Sequence, residues 1–153
     1  MNYSEEYDKA KSKVLKYILY KKRSKQEVKN KFSSVISNEM LEEIIDELEE
    51  NGYINDNSYI ERAVAEFIAL NNLSLKEVKY KLMAKGISSS LIEDYISENE
   101  EKMQEYEINS AKNIIIKKQN QMTDEEIMTH LLKKGYKTSN IRNAIKKIDD
   151  DEL

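Results

Sequence analysis

Apolar side chains recur along the chain at helical spacing, in three blocks separated by nearly constant distances. Each block opens with a long amphipathic stretch: Tyr7, Ala10, Val14, Tyr17 and Ile18, then Ile60, Ala63, Val64, Phe67 and Ile68, then Ile108, Ala111, Ile114 and Ile115. Each closes with a second apolar set: Leu41, Ile44, Ile45 and Leu48, then Leu91, Ile92, Tyr95 and Ile96, then Ile141, Ala144, Ile145 and Ile148. Steps of three and four residues lay one apolar stripe along a helix, so both sets predict amphipathic helices. No stretch alternates with the period of a half-buried strand.

Between the two stretches of each block lies a helix-start signal that repeats in register. Ser24-Lys-Gln-Glu27-Val28 recurs as Ser74-Leu-Lys-Glu77-Val78 and as Thr123-Asp-Glu-Glu126-Ile127, at spacings of 50 and then 49 residues. In such a capping box the hydroxyl accepts from the backbone N–H three residues on, and the glutamate reaches back to the N–H of the capping residue. Each copy therefore opens a short middle helix. The second and third copies end at Lys85-Gly86-Ile87 and Lys134-Gly135-Tyr136, where glycine suits the left-handed residue that stops a helix. The first copy ends Ser33-Ser34-Val35-Ile36, one residue shorter and without glycine.

The pattern predicts an all-α chain: an elongated tandem array of three three-helix, helix-turn-helix-like modules with about nine helices, at about 6–52, 55–99 and 104–150. At the first joint, Gly52 is expected to end a helix, Tyr53 and Ile54 to plug the junction, and Asp56 or a neighbouring asparagine to cap the next helix. The second joint, Ser97 to Lys102, is polar and charged; it suits either a flexible hinge or the first turn of a long helix, and is read as a continuous helix start. Composition agrees: the 153 residues include no proline and three glycines.

Composition also narrows function. With no cysteine, thiolate chemistry and sulfur-ligated zinc are excluded, and a single histidine excludes most imidazole-based metal sites and histidine-dependent triads. His130 occupies the slot of Lys31 and Lys81 and reads as a solvated side chain. No apolar run approaches the ~20 residues of a membrane span, and the N-terminus lacks the apolar core of a signal peptide, which leads to the expectation of a cytoplasmic protein. Paired carboxylates such as Glu42 and Asp46 have no activated nucleophile or phosphate loop beside them, so the chain is expected to be no enzyme and to use no cofactor or metal.

Charge is unevenly spread. Overall there are 25 basic and 29 acidic residues, yet Lys9 to Lys31 holds ten basic residues and one acidic, while Glu39 to Glu50 holds seven acidic and none basic. Such a basic stretch either faces a partner or is neutralised by the acidic helix of its own module. Lys21, Lys22, Arg23, Lys25 and Lys29 are the first candidates for partner contact, at a helix end and on the exposed side of the next helix. Lys79, Lys85, Lys117, Lys118, Lys133, Lys134 and Lys137 hold comparable positions further on. Tyr17, Tyr53, Tyr59, Tyr95 and Tyr136 fall at packing positions, and Tyr20 and Tyr80 remain for base stacking.

These elements occur together in one known family. Val14-Leu15-Lys16-Tyr17-Ile18-Leu19-Tyr20-Lys21-Lys22-Arg23 runs into Ser24-Lys25-Gln26-Glu27-Val28. Next come Gly52-Tyr53-Ile54-Asn55-Asp56, the second capping box and Lys85-Gly86-Ile87. In content and order this resembles the RecX family over about Lys9 to Ile148. The resemblance implies a cytoplasmic non-enzyme, monomeric, built of three-helix repeats. It implies binding to the bacterial RecA recombinase, above all its filament on single-stranded DNA, and a lowering of ATPase and strand-exchange activity in DNA repair and recombination. Weak direct contact with single- or double-stranded DNA fits the same reading. The alternative is a helix-turn-helix-like DNA-binding protein without a recombinase partner. Against it, the third helix of the first module would set Glu39, Glu42, Glu43, Asp46 and Glu47 against phosphates, and only the third module, with Lys137, Arg142, Lys146 and Lys147, has suitable charge.

Overall fold

The computed structural model describes residues 2–151. Among the described residues the chain is all-α, with nine helices and no strand: α1 (Tyr3–Tyr20), α2 (Lys25–Phe32), α3 (Asn38–Glu50), α4 (Asp56–Leu70), α5 (Leu75–Ala84), α6 (Ser89–Glu98), α7 (Glu100–Lys118), α8 (Asp124–Lys134) and α9 (Thr138–Asp151). The three capping boxes form as the sequence indicates. Ser24, Ser74 and Thr123 accept from the backbone N–H of Glu27, Glu77 and Glu126, and each glutamate returns a bond at 3.0–3.1 Å. Ser37 and Ser88 cap α3 and α6, and Gly52 turns left-handed after α3 at φ +82°.

Three buried clusters follow the three helix triplets. The first joins Val14 and Ile18 of α1 to Val28 and Phe32 of α2 and to Leu41, Ile44, Ile45 and Leu48 of α3. It is closed by Ile54 from the following joint. The second, built on α4–α6, is closed in the same way by Met103 and Tyr106 of α7. The third lies within α7–α9. Core side chains of one triplet are thus finished by residues that belong to the next.

Backbone polar groups cross the same joints. The Ser24 hydroxyl, while accepting within its own helix start, donates to the carbonyl of Lys85 at the end of α5. Ser74 donates likewise to the carbonyl of Lys134 at the end of α8, at 2.7 Å. The C-terminus of α8 therefore abuts the N-terminus of α5, and the C-terminus of α5 abuts the N-terminus of α2. The three middle helices form a column whose dipoles run head to tail, each negative end against a positive one. That approach explains two glycines. At Gly86, φ is +87° and an added Cβ would come within 2.2 Å of Gln26 Cβ; at Gly135, φ is +99° and it would come within 2.8 Å of the Lys76 side chain. The first middle helix lacks a glycine because among the described residues no helix start sits on its end.

A carboxylate from the next triplet also caps each of these joints. Asp56 Oδ1 accepts from the backbone N–H of Lys25 at 2.9 Å. At the second joint Glu107 is only 1% exposed. Its Oε2 accepts from the N–H of Leu75 at 2.7 Å, and its Oε1 from the N–H of Lys137 at 2.8 Å and the amide of Asn140 at 2.9 Å. Around it, Tyr106 accepts from the N–H of Leu73, Ser110 donates to the carbonyl of Leu73, and Asn113 donates to the carbonyl of Asn71. One polar face of α7 thus stitches the α4–α5 connection to the third triplet.

The accessible surface is 9820 Å² for 18.0 kDa, against about 8,000 Å² for a compact monomer of that mass. The excess is what triplets set side by side leave uncovered. Two expectations about the joints change. Tyr53 is 49% exposed, so Ile54 alone plugs the first joint; the cap of α4 is the neighbouring asparagine, Asn55, as one of the two expected choices. The second joint divides: Ser97 and Glu98 still belong to α6, Asn99 ends it with its amide donating to the carbonyl of Tyr95 at 2.8 Å, and only from Glu100 is the segment the first turn of the long α7.

Candidate functional site

Where α1 ends against the second triplet, the chain forms a groove of about 410 Å³ lined by Lys21 and Lys22, by Tyr59, Arg62, Ala63, Glu66 and Phe67 of α4, and by Lys81, Leu82, Ala84 and Lys85 of α5. Its position follows from the column. Because α5 ends on the start of α2, the residues that lead into α2 are drawn over the α4–α5 surface. Five cations, Lys21, Lys22, Arg62, Lys81 and Lys85, surround a floor of alanine, leucine and phenylalanine. One carboxylate, Glu66, accompanies them, 3.8 Å from Arg62 on the next helical turn. Like charges gathered over low-dielectric walls concentrate a positive potential that attracts anionic groups. Tyr59 closes one wall; burial, then the neighbouring Glu27 carboxylate, push its phenol up to about 12.

The sequence-derived candidates divide. Lys21, Lys22 and Lys85 come together in the groove. Arg23 does not join them as a free cation: its guanidinium lies 4.1 Å over the Tyr17 ring, and its Nε is buried without a hydrogen-bond partner. Tyr17 is itself fixed edge-on to Phe32 at 5.5 Å. Lys25 pairs with Glu49 at 3.4 Å and gives its N–H to Asp56. Lys29 is half-buried on α2. These three were expected on an exposed face; the Tyr17 ring of α1 draws in Arg23, and the packing of α2 against α1 and α3 turns Lys25 and Lys29 partly inward.

Further along, Lys79 pairs with Glu93 at 2.5 Å, and Lys134 with Glu77 at 3.6 Å. Lys117, Lys133 and Lys137 are exposed and Lys118 is half-buried, all in the third triplet and away from the groove. Neutralisation within the first triplet is real but partial. Lys11 pairs with Glu47 at 2.9 Å, and Tyr7 donates to the same carboxylate at 2.6 Å. The bond from Tyr7, then that from Lys11, hold Glu47 below the usual carboxylate range. Tyr20 is 86% exposed and Tyr80 also stands free, whereas Tyr136 is buried.

Arg62 and Lys81 are the groove residues that sequence reasoning missed. Both carried a faint signal. Lys81 repeats the slot of Lys31, and Arg62 lies on the polar face of its amphipathic stretch, one turn from Tyr59. Among the described residues no cluster of three or more histidine or acidic side chains is arranged to hold a metal ion. Among the same residues no helix is long and apolar enough to cross a membrane.

No family model matches the chain. It is similar to proteins called regulatory protein RecX. That of Clostridioides difficile is 27% identical over 151 residues, spanning 94% of this chain and 70% of that protein. That of Staphylococcus carnosus is 30% identical over 140 residues, 89% of this chain and 52% of that protein. That of Clostridium acetobutylicum is 28% identical over 149 residues, 91% of this chain and 68% of that protein. Among solved structures, RecX from Lactobacillus salivarius superposes with a TM-score of 0.79 at 25% identity over 95% of this chain and 98% of that one. A second regulatory protein RecX superposes with a TM-score of 0.79 at 22% identity, over 94% of this chain and 74% of that one.

Proposed function

Because this chain belongs to the RecX family of regulatory proteins, we propose that it binds a bacterial RecA recombinase and its nucleoprotein filament and lowers ATP hydrolysis and strand exchange. The observation that carries this reading is the groove, in which five cations and one carboxylate span the joint between two triplets. A body of docked triplets with a charged cleft at a joint is suited to lie across more than one protomer of a filament. A regulator that fits one arrangement of protomers better than another shifts their equilibrium by that difference in affinity, and such regulation requires no catalytic residue. In this reading the protein acts in the cytoplasm, as a monomer and without a cofactor, and 6–52, 55–99 and 104–150 are its repeats. Lys21, Lys22, Arg62, Lys81 and Lys85 make the principal contact. Lys117, Lys118, Lys133 and Lys137 contribute along the array.

The test reverses Lys21, Lys22, Lys81 and Lys85 to glutamate and follows single-stranded-DNA-dependent ATP hydrolysis by the recombinase. Arg23 and Lys25 are left alone because they support the fold. Loss of inhibition with an unchanged melting temperature is expected. Full inhibition by the variant at low salt would overturn the groove assignment. Wild-type inhibition should also fade as the Debye length shortens from about 10 Å at 0.1 M to about 3 Å at 1 M salt. The second reading, direct DNA binding, draws on the exposed Arg142 and Lys146 of α9. It predicts saturable binding of labelled DNA without recombinase, lost on reversing those two residues.

A further inference from the structure

The third triplet carries an open apolar cleft of about 270 Å³ between the end of α7, α8 and α9, lined by Ile115, Ile127, Met128, Ile145 and Ile148 and rimmed by Asp124 and Asp149. Its counterpart in the first triplet is filled. Ile45 and Ile145 are each the eighth residue of their helix, yet Ile45 is 1% exposed and Ile145 39%. Ile54, from the joint that follows α3, belongs to the first cluster, whereas among the described residues no side chain from beyond α9 belongs to the third. The rim differs in chemistry as well. In the first triplet Lys25 opens the middle helix and pairs with Glu49, the twelfth residue of α3, leaving Asp56 free to cap the Lys25 N–H. In the third, the same two positions are Asp124 and Asp149, and neither is in an ion pair among the described residues. Lys29 on the wall is replaced by Met128, a side chain that adapts to varied apolar shapes.

An incoming edge like that of α4, with Ile54 followed by Asp56, would bring a carboxylate against two others. A second copy of this chain fits no better in that register, because α1 leads with Glu5 and Glu6 and α2 ends without the glycine that close approach requires. We propose that this cleft is a docking site for a basic amphipathic helix of a partner protein, which inserts an aliphatic side chain between Ile127 and Ile145 and sets lysine or arginine against Asp124 and Asp149. The site is separate from the basic groove and opposite in charge, so it stands independently of the recombinase reading.

The probe is a synthetic 18-residue helix with an isoleucine stripe and flanking lysines, compared with a version carrying glutamate for every lysine. Binding is read on the intact protein from isoleucine-methyl NMR shifts and fluorescence anisotropy. The lysine helix should shift the methyl signals of Ile127, Ile145 and Ile148 and bind at least about tenfold more tightly than the glutamate helix, a difference of about 1.4 kcal/mol. Ile145→Lys, at a half-open position, should lose at least about tenfold with an unchanged helical spectrum; Asp149→Asn should lose a few-fold. Equal binding of the two helices, or shifts confined to other isoleucines, would overturn the assignment. Concentration-dependent self-association abolished by Ile145→Lys would overturn it too, in favour of a second copy as occupant.

Discussion

Replacing Glu107 by glutamine tests whether the joint between the second and third triplets rests on one buried carboxylate. The carboxylate accepts from three donors, two on Oε1 and one on Oε2. An amide keeps a single acceptor oxygen. Its better orientation retains Lys137 and Asn140 and turns an NH₂ toward the N–H of Leu75, leaving a buried donor facing a donor. That loss costs about 1–3 kcal/mol, and the two remaining bonds fall from charge-assisted to neutral strength at about 1 kcal/mol each. Relief from burying a charge offsets part of this, so the net destabilisation is about 2–4 kcal/mol. At this chain length each kcal/mol lowers Tm by about 2–4 °C, giving a drop of about 4–16 °C by differential scanning calorimetry. Hydrogen exchange supplies the local signature: the amides of Leu75 and Lys137 should lose protection before those of the first triplet. A variant melting within about 1 °C of the parent, with both amides still protected, would refute the reasoning.

The other expectations concern backbone, charge and pH. Gly52→Ala and Gly86→Ala both force a Cβ into left-handed backbone, at about 1–2 kcal/mol each. Only Gly86 also meets a neighbour, Gln26, so Gly86→Ala should be the more destabilising in urea titration; equal midpoints would argue against the close approach of α5 to α2. Groove reversal should abolish ATPase inhibition while leaving Tm unchanged, as set out above. On the alkaline side, the folded chain keeps the Tyr59 proton to about 12 while the unfolded chain releases it near 10.0. Unfolded chains then bind fewer protons, so stability should fall as pH rises from about 10 to about 12. Burial raises Tyr136 in the same direction. Tyr59→Phe should flatten part of that slope in thermal melts; an unchanged profile would count against the buried placement.

Periodicity and caps made the helices and their triplication readable, because both signals are local: a stripe every three to four residues and a hydroxyl three before a glutamate. What tied the triplets together was less readable. Glu107 follows a run rich in glutamate, where one more carboxylate looks like a solvated face, and only the approach of Leu75 and Lys137 shows it to be buried. The groove was half visible. Lys21, Lys22 and Lys85 stood out by charge, while Arg62 and Lys81 matter only once α5 abuts α2. Arg23 looked exposed beside Lys22 because its partner, the Tyr17 ring, stands six positions earlier with the end of α1 between them, a separation that is not one helical turn. The missing glycine in the first middle helix was plain in the sequence, but its reason was not until the column showed which helix ends are covered.

The head-to-tail column also sets an order on the birth of the protein. Synthesis runs from α1 toward α9, whereas the acceptor for the Ser24 hydroxyl is Lys85, 61 residues later, and that for Ser74 is Lys134, 60 residues later. At about 5–20 residues per second, α2 and α5 each wait roughly 3–12 s after leaving the ribosome before their starts are sealed. A nascent chain is therefore always finished one triplet behind its growing end. Ribosome stalling before Lys85 would leave the first triplet with its own apolar core but an unsealed seam, the state in which a protease or chaperone would find it most easily.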